Sequence, residues 1–280
     1  MRLNKYISHN TTYSRREADK LIQEGHVKVN RQVVTEPFYD VKEGDKVFVK
    51  GKLVKPKEEY TVIVYNKPKG ELVTKKDDRG RRTIYDSLPG KFKHFIPVGR
   101  LDFASEGLLL LTDSPKVAQA LMEGDLPRVY NVKIKGEVTP QMEQAMREGL
   151  ELADASAGGH EKSQIQSMKF APFFAYRIDK NSPTYSRLKV ALTEGKNREI
   201  RRFFAHFGKD VVDLKRVEYG WVKLNALPTG KTRYLSKEEY KKLKAYLKEV
   251  DANNKTQNKP QVGDDRDHGN GTGAGDKKRG

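Results

Sequence analysis

Four consecutive leucines, Leu108 to Leu111, with Gly107 before them and Thr112-Asp113-Ser114-Pro115 after, leave the surrounding chain few options. The run is too short for a free-standing helix, and turn-forming residues bound it on both sides. It reads as a strand buried on both faces. Directly ahead lies Val98-Gly99-Arg100-Leu101-Asp102-Phe103-Ala104-Ser105-Glu106, a charged, glycine-flanked stretch that must reach the surface. An arginine and an aspartate two positions apart, at the mouth of a buried strand, stand where a scaffold would present a reactive group. The alternative from these residues alone is an ordinary aspartate in a turn.

Charge narrows the class of partner. The 280 residues carry 55 Lys and Arg against 38 Asp and Glu, a formal net charge of +17. Such an excess calls for a polyanion, either nucleic acid or an anionic membrane surface. No apolar run has membrane-spanning length and no signal-peptide core opens the chain, so nucleic acid is the expected partner, not a membrane. There is no cysteine, which excludes disulfides and thiolate chemistry. The six histidines are scattered without metal-ligand spacing, so no metal is expected.

The first 52 residues read as a compact basic unit. Leu3, Tyr6 and Ile7 share a face of one short helix. Ser14-Arg15-Arg16-Glu17 is a capping box opening a second, with Ala18, Leu21 and Ile22 at helical spacing and Gly25 as its stop. Val27 and Val29 then alternate with His26 and Lys28 as in a half-buried strand, and Gly44-Asp45 turns the chain into Val47 and Val49. Lys5, Arg15, Arg16, Lys20 and Lys28 would grip phosphates, unless they are simply solvated helix charge. Residues 53–60 read as a polar linker, and 61–250 as a second domain.

Within that domain, Thr61 to Tyr65 reads as a strand running into Asn66-Lys67-Pro68-Lys69-Gly70. Residues 75–83 form a basic loop, expected as a phosphate-contacting arm. Ser114 caps a helix that begins at Pro115, with Val117 and Leu121 on its buried face. Arg128 to Gly136 alternates strictly, placing Tyr130, Val132 and Ile134 on one face. Tyr130 there is either core or part of a site. Thr139-Pro140 starts a helix that Gly149 closes. Phe170, Phe173, Phe174 and Tyr176 are expected in sheet core, and no site is assigned between 153 and 187. Further on, Asn197 is the expected cap of a helix whose buried stripe is Ile200, Phe203, Phe204 and Phe207. Arg198, Arg201 and Arg202 fall on its flank. Ser236 to Glu239 is another capping box, opening a helix to about Val250. Residues 251–280 lack apolar periodicity and are expected to be a disordered tail.

Five of these stretches, in order, carry a resemblance. RLNKYIS with SRREADKLIQEGHVKVN resembles the alpha-L RNA-binding domain, although Arg31 stands where that family usually has glycine, so Asn30 is expected to take the left-handed turn position. NKPKG, GRLD with GLLLLT, RVYNV and EGKNREIRRFF resemble the motifs of the RsuA/RluB family of ribosomal RNA pseudouridine synthases. Glu199 departs from that pattern, which usually has glutamine there, and Arg128 replaces the usual lysine.

The resemblance implies an α+β chain: a small α/β RNA-binding domain, then a synthase domain on a mixed, largely antiparallel sheet. It implies Asp102 as nucleophile, Tyr130 against the target base, and Arg201 paired with the aspartate. Lys67, Arg100, Arg198 and Arg202 are the implied substrate contacts. The implied reaction turns a uridine into pseudouridine with no cofactor. The implied partner is ribosomal RNA or a pre-ribosomal particle, the enzyme being a cytoplasmic monomer, with the large-subunit (23S) RNA favoured over the small-subunit (16S) RNA. Two other classes stay open at this point: a non-catalytic RNA-binding chaperone, and a glycosidase using Asp102 and Glu106.

Overall fold

The computed structural model describes residues 1–56 and 60–257. They divide into two compact units, Met1–Thr61 and Val62 onward.

In the first unit, α1 (Leu3–Asn10) and α2 (Arg15–Gln23) precede four short strands, β1 (Val27–Val29), β2 (Gln32–Val33), β3 (Val47–Val49) and β4 (Lys52–Leu53). The Ser14 capping box forms in full, with the Glu17 amide donating to Ser14 Oγ and the Ser14 amide to the Glu17 carboxylate. Leu3, Ile7, Ala18, Ile22, Val27 and Val47 close one core at almost no exposure. Asn30 takes the left-handed conformation (φ 57°) and its side chain bonds to Asp45 and Lys46 across the turn. The linker begins later than the sequence suggests. Leu53 pairs with Phe48, and Val54 is buried in the unit's core. Residues 57–59 of the expected linker lie outside the described residues.

The second unit is built on a nine-stranded sheet. Its elements are β5 (Val62–Lys67), α3 (Ile84–Ser87), β6 (Ile96–Pro97), β7 (Glu106–Thr112), α4 (Pro115–Glu123), β8 (Arg128–Lys135), α5 (Pro140–Glu148), β9 (Leu150–Leu152), β10 (Met168–Phe170), β11 (Ala175–Lys180), β12 (Tyr185–Leu192), α6 (Glu199–His206), β13 (Val211–Tyr219), β14 (Val222–Lys223), β15 (Thr232–Tyr234) and α7 (Lys237–Gln257). The sheet runs β11-β12-β8-β13-β7-β5-β15, with β14 on β13 and β6 on β7, while β9 and β10 form a separate pair. The leucine run is β7. It lies between β5, antiparallel, and β13, its parallel neighbour, and Gly107 to Thr112 are all buried. Gly107 is required there. A Cβ at that position would sit 2.2 Å from the Arg216 carbonyl oxygen, and its φ is +106°.

On the Tyr130 face of the sheet, the α6 stripe packs Ile200, Phe203 and Phe204 against Val132, Leu188 and Val190 of the strands and Met142 and Met146 of α5. The aromatic group divides: Phe170 and Phe173 pack their rings on Phe203, whereas Phe174 is 64% exposed. The terminal helix is longer than expected. It begins with the Ser236 capping box but runs to Gln257, so 251–257 is helical rather than tail. Tyr246 within it bonds the Ala120 carbonyl of α4 at 3.0 Å. The rest of the expected tail lies outside the described residues.

Candidate active site

The turn before β7 carries Asp102. The Ser105 amide closes this turn onto the Asp102 carbonyl at 3.0 Å, and beneath it Lys67 is fully buried at the end of β5. The Lys67 ammonium donates to the carbonyls of Pro68 (2.9 Å), Phe103 (3.4 Å) and Ser105 (2.7 Å). Burial pulls its pKa down to about 8, against the opposing pull of the Glu71, Asp102 and Glu106 carboxylates. Lys67 therefore anchors the loop and has no surface to offer a substrate, contrary to the sequence expectation.

Across the pocket, α6 starts at Arg198 and not at Asn197. Arg198 is the cap residue, in the left-handed conformation (φ 47°). That kink separates three nearby arginines. Arg201 reaches Asp102, with Nε 3.3 Å from Oδ2 and Nη2 donating to Ser105 Oγ at 3.0 Å. Arg198 approaches the same Oδ2 at 3.5 Å and donates through Nε to the Gly158 carbonyl. Arg202 instead turns inward and is fully buried, bonded to the Asn197 carbonyl and Oδ1, the Ala155 carbonyl and Ser163 Oγ. It ties down the loop and cannot contact a substrate, so that sequence expectation also fails.

The 153–163 segment, where the sequence suggested no site, thus cradles the arginines. Gly158 and Gly159 allow it: a Cβ on the first would sit 2.5 Å from the Arg201 carbonyl oxygen, and on the second 2.7 Å from the Arg202 guanidinium. The adjacent Gly-Gly pair was the signal available in the sequence.

These elements enclose a cavity of about 250 Å³. Asp102, with 28% of its side chain exposed, lines it together with the exposed Arg100, Arg198 and Glu199. Tyr130, half-buried and packed against two core clusters of this unit, lines it with Leu214 and Arg216 of the sheet. Both arginine contacts fall on one carboxylate oxygen of Asp102. Its Oδ1 has no hydrogen-bond partner among the described residues. Burial lowers the Arg201 pKa, and the Asp102 charge opposes the shift.

Glu199 is 5% exposed. Burial first, and then its hydrogen bond to Glu194, push its pKa up to about 9, so near neutrality it is a carboxylic acid. On Glu194, burial acts upward too, but hydrogen bonds from Glu199, the Ala171 amide and Lys196 outweigh it and hold that carboxylate low. A neutral acid here can donate a hydrogen bond, as the amide of a glutamine would. Among the described residues no group of three or more His, Asp or Glu side chains is arranged to hold a metal ion.

The family model of the RNA pseudouridylate synthases matches residues 61–206, and that of the S4 domain matches residues 1–47. The chain belongs to the RNA pseudouridine synthases of the RsuA/RluB type. Over 249 residues it is 54% identical to an RNA pseudouridine synthase of Helicobacter pylori strain ATCC 700392 / 26695, covering 88% of this chain and 95% of the relative. It is 35% identical over 246 residues to the ribosomal large subunit pseudouridine synthase B of Bacillus subtilis strain 168, covering 87% and 96%. A crystal structure of a pseudouridylate synthase superposes with a TM-score of 0.54 at 26% identity, covering 87% of this chain and 99% of that one.

An S4 domain followed by a synthase fold is thus the architecture, and the activity is pseudouridine formation in RNA. The chaperone and glycosidase alternatives fall away. Of the implied site residues, the synthase fold brings Asp102, Tyr130, Arg198 and Arg100 to one pocket, sets Arg201 behind Asp102 as its partner, and withdraws Lys67 and Arg202 into the protein. The sequence reading missed Glu194, Glu199 and Arg216 as pocket residues. The basic loop at 75–83 is partly spent on internal pairs, Arg81 with Asp77 and Arg82 with Glu71.

Proposed function

We propose that this enzyme isomerises a uridine of large-subunit ribosomal RNA, acting as a cytoplasmic monomer, with Asp102 as the nucleophile. The observation carrying the chemical assignment is the asymmetric clamp on Asp102: two guanidiniums converge on Oδ2, while Oδ1 has no hydrogen-bond partner among the described residues. The two cations fix the position of the carboxylate that must attack. Tyr130 supports the extruded uracil with its ring, and Arg100 meets the RNA backbone at the mouth.

Reaching the base requires extrusion from its stack, which costs on the order of a few kcal/mol and favours loop or single-stranded RNA. The bond between C1′ and N1 breaks, the uracil turns, C5 bonds to C1′, and the C5 proton is lost while N1 is protonated. No external reactant is consumed. The large-subunit reading rests on the Bacillus subtilis relative, whose name specifies that subunit. Lys5, Arg15, Arg16, Lys20 and Lys28, all exposed on the S4 unit, hold the RNA by its phosphates.

Mapping pseudouridine in ribosomal RNA from cells with and without the gene tests the target. Loss of one or more sites in 23S RNA is the expected result. A site lost from 16S RNA alone would replace the large-subunit reading with the small-subunit one.

A further inference from the structure

Arg216 has no part in the chemistry described so far. It lies on β13, directly opposite Tyr130 of β8 in the strand register, and lines the same cavity. The residue is 4% exposed. Its Nε donates to the Leu108 carbonyl at 2.8 Å, and its guanidinium lies 5.1 Å from the centre of the Tyr219 ring. Arg128 sits over that same ring at 4.9 Å, but its donors are committed to Thr193, Met122 and Tyr219. Arg216 differs. Its Nη2 is the one buried side-chain nitrogen or oxygen among the described residues with no hydrogen-bond partner.

Buried donors are almost always paired, and a guanidinium N–H left unpaired is costly, so such an atom at a pocket needs an explanation. Here the explanation is at hand. The cavity belongs to an enzyme that inserts a uracil, and a uracil edge carries two carbonyl oxygens. The exposed Arg100 is the cation available to a phosphate on the solvent side, whereas Arg216 stands on the sheet opposite Tyr130, the residue placed against the base.

We propose that Arg216 is a catalytic residue whose Nη2 donates to a carbonyl oxygen of the flipped uracil. When the C1′–N1 bond breaks, its electron pair stays on the uracil and spreads onto the carbonyl oxygens. A fixed cationic donor at one of them stabilises that charge without having to move. The bond from Nε to Leu108 fixes the donor, since the same contact ties it to the strand leaving the Asp102 turn. This inference rests on pseudouridine synthase chemistry, and not on which ribosomal RNA is the target.

The test uses in vitro transcripts of both 16S and 23S RNA, made with uridine, 2-thiouridine or 4-thiouridine, and chromatography of nucleoside digests under single-turnover conditions. Using both transcripts separates the target from the contact: an error in the target reading appears as modification of the other transcript. Arg216→Lys keeps the charge and can still reach Leu108, but loses the Nη2 donor. It should lower the rate about 100-fold while leaving the Kd for the transcript within about 2-fold. Sulfur accepts hydrogen bonds poorly. For the wild type, one of the two thio-substitutions should therefore slow the reaction about 10-fold, and in Arg216→Lys that same substitution should cost less than about 2-fold. A role confined to packing would lower the rate of the variant but leave the thio effect unchanged, and that result overturns the proposal. So does a wild-type rate in Arg216→Lys.

If Arg216→Lys fails to fold, the wild-type protein decides. In a crystal with 5-fluorouridine RNA, Nη2 should lie within about 3.2 Å of a uracil oxygen, and a base whose oxygens both point elsewhere refutes the contact.

Discussion

The two units use positive charge in opposite ways. In the S4 unit, Lys5, Arg15, Arg16, Lys20 and Lys28 all stand in solvent around a small core of aliphatic side chains. In the synthase unit, the charges that matter are drawn inside: Lys67 and Arg202 are fully buried, Arg216 nearly so, and Arg201 keeps 11% of its side chain exposed. Exposed cations act additively, through the field and the counterions they displace. Buried ones are held by named partners and act individually. One unit is therefore built to tolerate change at any single position, and the other is not.

The sharpest test of that contrast is Asp102→Asn. The amide keeps the shape but cannot act as a nucleophile, and pseudouridine formation should fall by at least ~10³-fold with RNA affinity nearly unchanged. Near-normal turnover, measured by nucleoside analysis, would remove the mechanism. Next comes Arg201→Ala, expected to cost ~10²-fold in rate and, because Asp102 is partly solvated, about 1–3 kcal/mol in denaturant stability. Combined with Asp102→Asn, the loss of stability should be smaller than the sum of the two, since no unpaired carboxylate is left behind. Strict additivity would show that the pair does not interact.

Glu199→Gln probes the buried acid by pH. Its folded pKa lies above that of the unfolded chain, so its contribution to stability is complete below the unfolded value of about 4.3 and is lost as pH rises through about 9. The glutamine variant escapes that loss. Its melting temperature should equal that of the wild type near pH 4 and exceed it by ~3 °C or more at pH 8, with the gap widening until about pH 9 and then holding. A gap independent of pH would mean that Glu199 is already ionised.

The smallest effects belong to the S4 unit. Any one of its five cations changed to alanine should weaken RNA binding only ~2–4-fold, and kcat should hold. All five together should flatten the slope of log affinity against log salt by ~3–4. A single one of them that abolishes binding would break the contrast between the units.

How much of this was legible in advance follows the same division. The Ser14 capping box, the alternation of Arg128 to Lys135 and the leucine strand are local signals, and each appears where the sequence puts it. Lys67 was misplaced because its partners, the carbonyls of Phe103 and Ser105, arrive from a turn nearly forty residues away. Arg201 and Arg202 are neighbours with opposite fates. The left-handed start at Arg198 sets which of them faces Asp102, and no periodicity argument resolves a single residue of helical phase. Glu199 showed in the sequence only as a departure from the usual glutamine, because its neutralising environment, burial beside Glu194, exists only in the folded pocket. Arg216 gave no sign at all: in the sequence it is one charged residue among several in its strand.

The pocket's division along the chain also has a consequence in time. Asp102 and Arg201 are 99 positions apart, and the parallel partner of the Asp102 strand begins only at Val211. At a synthesis rate of ~5–20 residues per second, Arg201 follows Asp102 out of the ribosome by roughly 5–20 s. The S4 unit, whose core closes within residues 1–61, can fold well before that. A nascent chain can therefore hold RNA before it can alter it. Because the β7–β13 pairing joins distant segments, the step that completes the pocket is also the one expected to be slowest.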